Sequence, residues 1–84
     1  MPRFYTHILN DTGFTLDEEG GEFADLAGAT EQAQRTMGEI IAEDLVAGKS
    51  EIRLTIMIDD SEGLRVANLR ATTRLVSSLN PFVE

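Results

Sequence analysis

The chain has no cysteine, which excludes a disulfide framework, a thiolate metal site and a cysteine nucleophile. It has a single histidine, His7, so no histidine cluster is available to hold a metal. No apolar run approaches the ~18 residues of a membrane span. Basic residues are scarce, seven against fifteen acids, for a net charge of −8. That balance repels phosphate backbones and argues against nucleic acid as a partner. Met1-Pro2-Arg3-Phe4 passes straight into a strand-like run, without the long apolar region of a signal peptide. The expectation is a cytoplasmic protein that contacts neither membrane nor nucleic acid. A nucleophile motif, a phosphate-cradling glycine loop and a cofactor fingerprint are also missing. This argues against an enzyme and against a bound cofactor.

What is present is enough for one small domain. Eighty-four residues, 42% of them apolar, suit a globular core and not a disordered chain. A chain this short buries only roughly 60–65% of its unfolded surface, so the core is marginal. The charge is uneven. Residues 1–48 hold ten acids against Arg3 and Arg35, whereas residues 49–84 hold five of each sign. An acidic half of this kind suits solubility and a basic protein partner.

The stretch from Asp17 to Ala29 organises the chain. It is an acidic turn broken by Gly20 and Gly21, and it leads into the one long helix. Before it, Arg3–Leu9 reads as a strand rich in aromatic and β-branched residues. Asn10–Gly13 reads as a turn, and Phe14–Leu16 as a short returning strand. Asp25 is the N-cap candidate, with Thr30 as its rival. From there Leu26, Ala29, Ala33, Met37, Ile40 and Ile41 form a helical stripe. Gly48 is placed to close the helix in the left-handed conformation. Residues 26–47 would span roughly 33 Å as a helix. Ile52, Leu54, Ile56 and Ile58 alternate with Arg53, Thr55 and Met57, which makes 52–58 the clearest strand. Asp59–Gly63 is a hairpin turn and 64–69 the returning strand. Leu75, Val76, Leu79 and Phe82 fit one side of a short helix closed by Pro81, and a frayed extension of the chain is the alternative.

The expected fold is α+β, a β-(β)-α-β-β domain over residues 1–70 with a C-terminal tail over 71–84. One long helix packs on a mostly antiparallel sheet of three to four strands. Two pairings are open for the first strand: parallel to 52–58, or antiparallel to 64–69, with the second favoured.

Met1-Pro2-Arg3-Phe4-Tyr5-Thr6-His7, then Asp17-Glu18-Glu19-Gly20, then Asp25-Leu26 resemble a short-chain family of unknown function abundant in rhizobia and related alphaproteobacteria. The resemblance covers roughly residues 1–69 and implies the fold and a bacterial origin, but no activity. A weaker likeness links Asp25-Leu26-Ala27-Gly28 and Thr30-Glu31-Gln32-Ala33 to antitoxins of the HicB type. The proline usual in that turn and an appended DNA-binding segment are both missing.

The candidate sites each have a plainer reading. Asp17, Glu18, Glu19, Glu22 and Asp25 are oxygen ligands of the kind hard cations take. Their spacing does not match the Asp-x-Asp-x-Asp-Gly loop with its distant Glu, and a solvated turn plus a helix cap explains them. His7 could join a carboxylate as an acid–base pair, or be a hydrogen-bonded histidine on a sheet face. Asp44 falls on the line of the helix stripe, five turns after Leu26. Either the helix overhangs the sheet there, or Asp44 meets an arginine such as Arg53 or Arg65. The favoured function is a non-enzymatic interaction module that forms a homodimer. Met57, Leu75, Val76, Leu79 and Phe82 are the interface candidates. The alternatives are an antitoxin-like acidic binder of a basic protein, and a cation- or small-molecule-binding domain using residues 17–25.

Overall fold

A computed structural model describes residues 1–78. In chain order it contains β1 (Arg3–Asn10), β2 (Gly13–Thr15), β3 (Gly21–Glu22), α1 (Leu26–Val46), β4 (Glu51–Asp59) and β5 (Arg65–Arg74). The strands form one five-stranded antiparallel sheet in the order β2-β1-β4-β5, with β3 also paired to β1. One helix lies on one face of that sheet, an α+β fold.

The first turn is built by a side chain. Asn10 Oδ1 accepts from the backbone N–H groups of Thr12 and Gly13 and from the Thr12 hydroxyl. The chain then runs back along β1. β2 pairs with the end of β1, Ile8–Asn10, and β3 with its start, Arg3 and Phe4. This return decides the topology. It brings the chain to the beginning of β1, where the Phe23 amide donates to the Pro2 carbonyl. The helix therefore runs in the same direction as β1, and β4 descends antiparallel to it, pairing Tyr5–Asn10 with Asp59–Leu54. Neither pairing expected for the first strand occurs. The right-handed crossover rule governs parallel strands, and the described residues pair only antiparallel.

α1 starts at Asp25, whose carboxylate accepts from the Gly28 amide at 2.9 Å. It ends in a Schellman motif: Lys49 N–H donates to the Asp44 carbonyl and Gly48 N–H to that of Leu45. Gly48 has φ +94° there. The helix buries Ala29, Ala33 and Met37. Small side chains in its first half let it settle closely on the sheet. Beneath lie Phe4, Leu54, Ile56 and Ile58, with Ile8, Phe23, Ile40, Ile41, Val66, Ala67, Leu69 and Ala71 around them. Each fully buried aliphatic side chain of β4 contributes ~1.5–3 kcal/mol.

Asp44 does meet a cation, but not an arginine. Lys49 Nζ lies 3.8 Å from its carboxylate and 3.6 Å from that of Asp11. The Schellman turn folds Lys49 back over the helix end.

The last strand, expected over residues 64–69, runs on to Arg74. β5 continues there, with Ala71 and Thr73 opposite Leu54 and Ile52. The short helix expected to begin near residue 71 does not start there, because small and β-branched residues extend the strand along the buried face of β4. Leu75 and Val76 follow as exposed residues. Leu79 and Phe82 lie outside the described residues.

Candidate functional site

The pleat sends Tyr5, His7 and Leu9 of β1 to the face away from α1. Thr55, Met57 and Asp59 of β4 share that face, as do Asn68 and Arg70 of β5. No helix among the described residues covers it, yet His7 is buried, 7% exposed. Its cover is local. The Phe14 ring tilts against it with centroids 5.9 Å apart, and the acidic loop after β2 closes over it.

Both ring nitrogens of His7 are engaged. Nδ1 accepts the backbone N–H of Asp17 at 3.1 Å, and Nε2 lies 3.1 Å from Asp59 Oδ2. An amide cannot donate to a protonated nitrogen. The proton therefore sits on Nε2, which donates to the Asp59 carboxylate. The other oxygen of Asp59 accepts from Arg65 Nε. A register shift between Ile58 and Asp59 creates that last contact. Ile58 opposes Ala67, but Asp59 opposes Arg65, so one residue is left over. Without this bulge Val66 would face Asp59.

Asp17 locks the loop from the other side. Its Oδ2 accepts from the Thr6 amide and its Oδ1 from the Gly20 amide, both at 3.0 Å. Gly20 has φ +70°, and a Cβ there would stand 2.8 Å from the Phe4 carbonyl oxygen. Only glycine fits. The loop thus takes the place of ladder bonds between β2 and β3.

Burial alone would raise the pKa of Asp17, but the amides of Thr6, Gly20 and Glu19 outweigh it and hold the carboxyl below its ordinary value. For Asp59 the bond from Arg65 leads; burial opposes it, and the charge of Arg65 and the bond from His7 add to the lowering. Arg65 is raised in return, chiefly by its bond to Asp59.

Chemically this cluster is a brace. His7 has no ring nitrogen free to take a substrate proton. Of the acids proposed as cation ligands, Asp17 has both oxygens on backbone amides. Glu22 Oε1 lies 3.3 Å from Arg3, and Glu18 and Glu19 point to solvent. Among the described residues no group of three or more histidines, cysteines or acids is arranged to hold a metal. Asp25 is spent on the helix cap and Asp44 on Lys49. Met57 sits opposite His7, half-buried. Beyond it, hollows of about 310 Å³ and 250 Å³ share Asp11 and Arg53; Leu9 and Thr55 line the larger.

Sequence reasoning picked out His7 and Asp17 but not the bond between them, and it missed Asp59 as a partner. A signal for Asp59 was present: it falls out of phase with the isoleucines of β4, on the same side as Met57.

A family model described as a domain of unknown function, DUF6894, matches residues 3–72. The chain belongs to this family. The DUF6894 match takes in all four residues of the cluster, His7, Asp17, Asp59 and Arg65. It extends beyond residue 69 and stops two residues before β5 ends. No curated protein and no solved structure matches the chain. No helix among the described residues is long and apolar enough to cross a membrane.

Proposed function

We propose that this domain is a non-catalytic interaction module that self-associates through the open face of its sheet. One observation carries the reading. Leu9 and Phe14 are cross-strand partners on that face and remain 45% and 54% exposed, with Leu16 just beyond at 56%. A contiguous apolar patch on a domain this small marks a contact surface. α1 covers only the other face.

Charge supports the same surface. The open face carries Arg53, Arg65, Arg70 and Arg74 against Glu51 and Asp59. Glu31, Glu39 and Glu43 lie away from it, on exposed positions of α1. Two copies with a net charge of −8 repel least where the acids are fewest. A twofold dimer is the commonest closed assembly. The His7 cluster has a part in this reading. By holding Asp17 to the sheet it fixes the segment that presents Phe14 and Leu16. Met57 adds apolar surface in the middle of the face, and Leu75 and Val76 are further exposed apolar residues just after β5.

The paired variant Leu9→Asp with Phe14→Asp tests the reading. It should retain its circular dichroism and melt cooperatively while losing the mass of a dimer. An unchanged mass would move the interface elsewhere.

A second reading, an acidic binder of a basic protein in the manner of the HicB-type antitoxins, is supported by the exposed acids of α1 and the loop. A basic protein that protects α1 rather than the open face would favour it.

A further inference from the structure

The two edges of the sheet are built differently. On the β1 side the edge is broken into strands of three and two residues. The Asp17 loop intervenes, and Arg3 reaches across to the Glu19 carbonyl and to Glu22. Short, interrupted edges of this kind block the addition of another strand. On the other side stands β5, ten residues long and, among the described residues, paired with β4 alone. Its register is regular from Ala67 to Arg74, and it contains no proline. Among the described residues no strand pairs with its outer row of backbone N–H and C=O groups.

The charge of β5 is also out of keeping with the chain. It holds Arg65, Arg70 and Arg74 and no acid, in a protein of net charge −8. Arg65 is spent on Asp59. Arg74 stands opposite Glu51, but that carboxylate is taken by Arg53 at 2.9 Å. Arg70 stands opposite Thr55. Among the described residues neither Arg70 nor Arg74 has an acidic partner within 4.0 Å. Four residues apart on one strand, they share a side and lie roughly 13 Å from each other.

We infer that the outer edge of β5 accepts an extended acidic segment of a partner protein as an additional strand, with carboxylates on one side of that segment meeting Arg70 and Arg74. Main-chain bonds supply the affinity and the two arginines the choice of partner. A second copy is a poor occupant. No register of β5 on itself sets an acid opposite either arginine, and the acidic edge of the chain is the broken one. The inference rests on the interaction-module reading; Arg70 and Arg74 share the open face with Leu9 and Phe14, but the main-chain contacts lie on the outer edge of β5, at the opposite side of the sheet from β2.

The probe is a short capped peptide of alternating valine and threonine, with two glutamates four positions apart. Its control carries lysines in their place. Binding is read by fluorescence anisotropy, and its location by hydrogen exchange of backbone amides. The glutamate peptide should bind and slow exchange along β5. The lysine peptide should bind on the order of tenfold more weakly, the share of two exposed ion pairs. Arg70→Glu combined with Arg74→Glu should reverse that preference; both side chains are exposed, so the fold should survive. Equal binding of the two peptides would overturn the inference. So would protection outside β5, or protection of β5 by raising the protein concentration alone. Light scattering on the same samples reads the other surface independently. A monomer that binds the glutamate peptide upholds the β5 site and rejects the open-face dimer. A dimer indifferent to the peptide does the reverse.

Discussion

The backbone N–H of Asp17 donates to Nδ1 of His7 at 3.1 Å, across ten residues of sequence. Asp17 returns the contact one residue earlier, its carboxylate accepting the Thr6 amide. The acidic loop is thereby bonded to β1 where a regular strand would otherwise run. His7 passes the connection on to Asp59 and so to the closing hairpin.

Removing the imidazole should therefore loosen two elements at once. His7→Ala leaves the Asp17 amide and one Asp59 oxygen without their partner, and it should cost ~2–3 kcal/mol. His7→Asn, which keeps a short acceptor on the Nδ1 side, should recover part of the loss. Urea melts check this. A loss below ~0.5 kcal/mol would mean that the ring is packing filler.

Acid should unfold the domain through Asp17 and Asp59. Both carboxyls are lowered in the folded protein. The native state therefore binds fewer protons than the unfolded chain once the pH falls to the ordinary aspartate value, roughly 4. Their contribution is fully present above that value and is lost as pH falls through the folded values. Urea midpoints between about pH 3 and 6 should drop toward the acid end. The fall should be shallower in the variant Asp17→Asn with Asp59→Asn. Equal slopes would place the acid sensitivity in other groups.

Much of this architecture was legible and some was not. The helix was, because Ala29, Ala33 and Met37 repeat at helical spacing behind a capping aspartate. β4 was, because its isoleucines alternate without interruption. Strand order was not, since it depends on residues 11–25 carrying the chain back to the start of β1. Only five residues of that return are strand, and local composition does not announce it. The length of β5 was obscured because Ala71-Thr72-Thr73 has weak local preference, which packing on β4 decides. His7 stood out as the lone histidine. Its partners did not, because Arg65 reaches Asp59 only through a bulge that no residue type marks.

The helix start is a local matter and can be tested locally. Asp25→Ala removes the acceptor of the Gly28 amide and should lower stability by ~1 kcal/mol. Thr30→Ala, inside the helix, should cost less than half of that. Equal effects in matched urea melts would contradict the cap.

Divalent cations should do little. The oxygens of Asp17 already accept backbone donors, so a cation would have to displace amide bonds to reach them. At matched ionic strength, millimolar Ca²⁺ or Mg²⁺ should leave the melting temperature unchanged. A saturable rise would show selective binding to the folded state and reopen the loop as a site.

The mass of the unmodified protein in solution, followed by light scattering across the micromolar range, bears most directly on the open sheet face as a contact surface. Association through Leu9 and Phe14 predicts a mass near twice 9.2 kDa that falls toward the monomer on dilution. It should persist in added salt, because the patch is apolar and the surrounding acids are screened. A mass that stays at 9.2 kDa, whatever the concentration or salt, would contradict self-association.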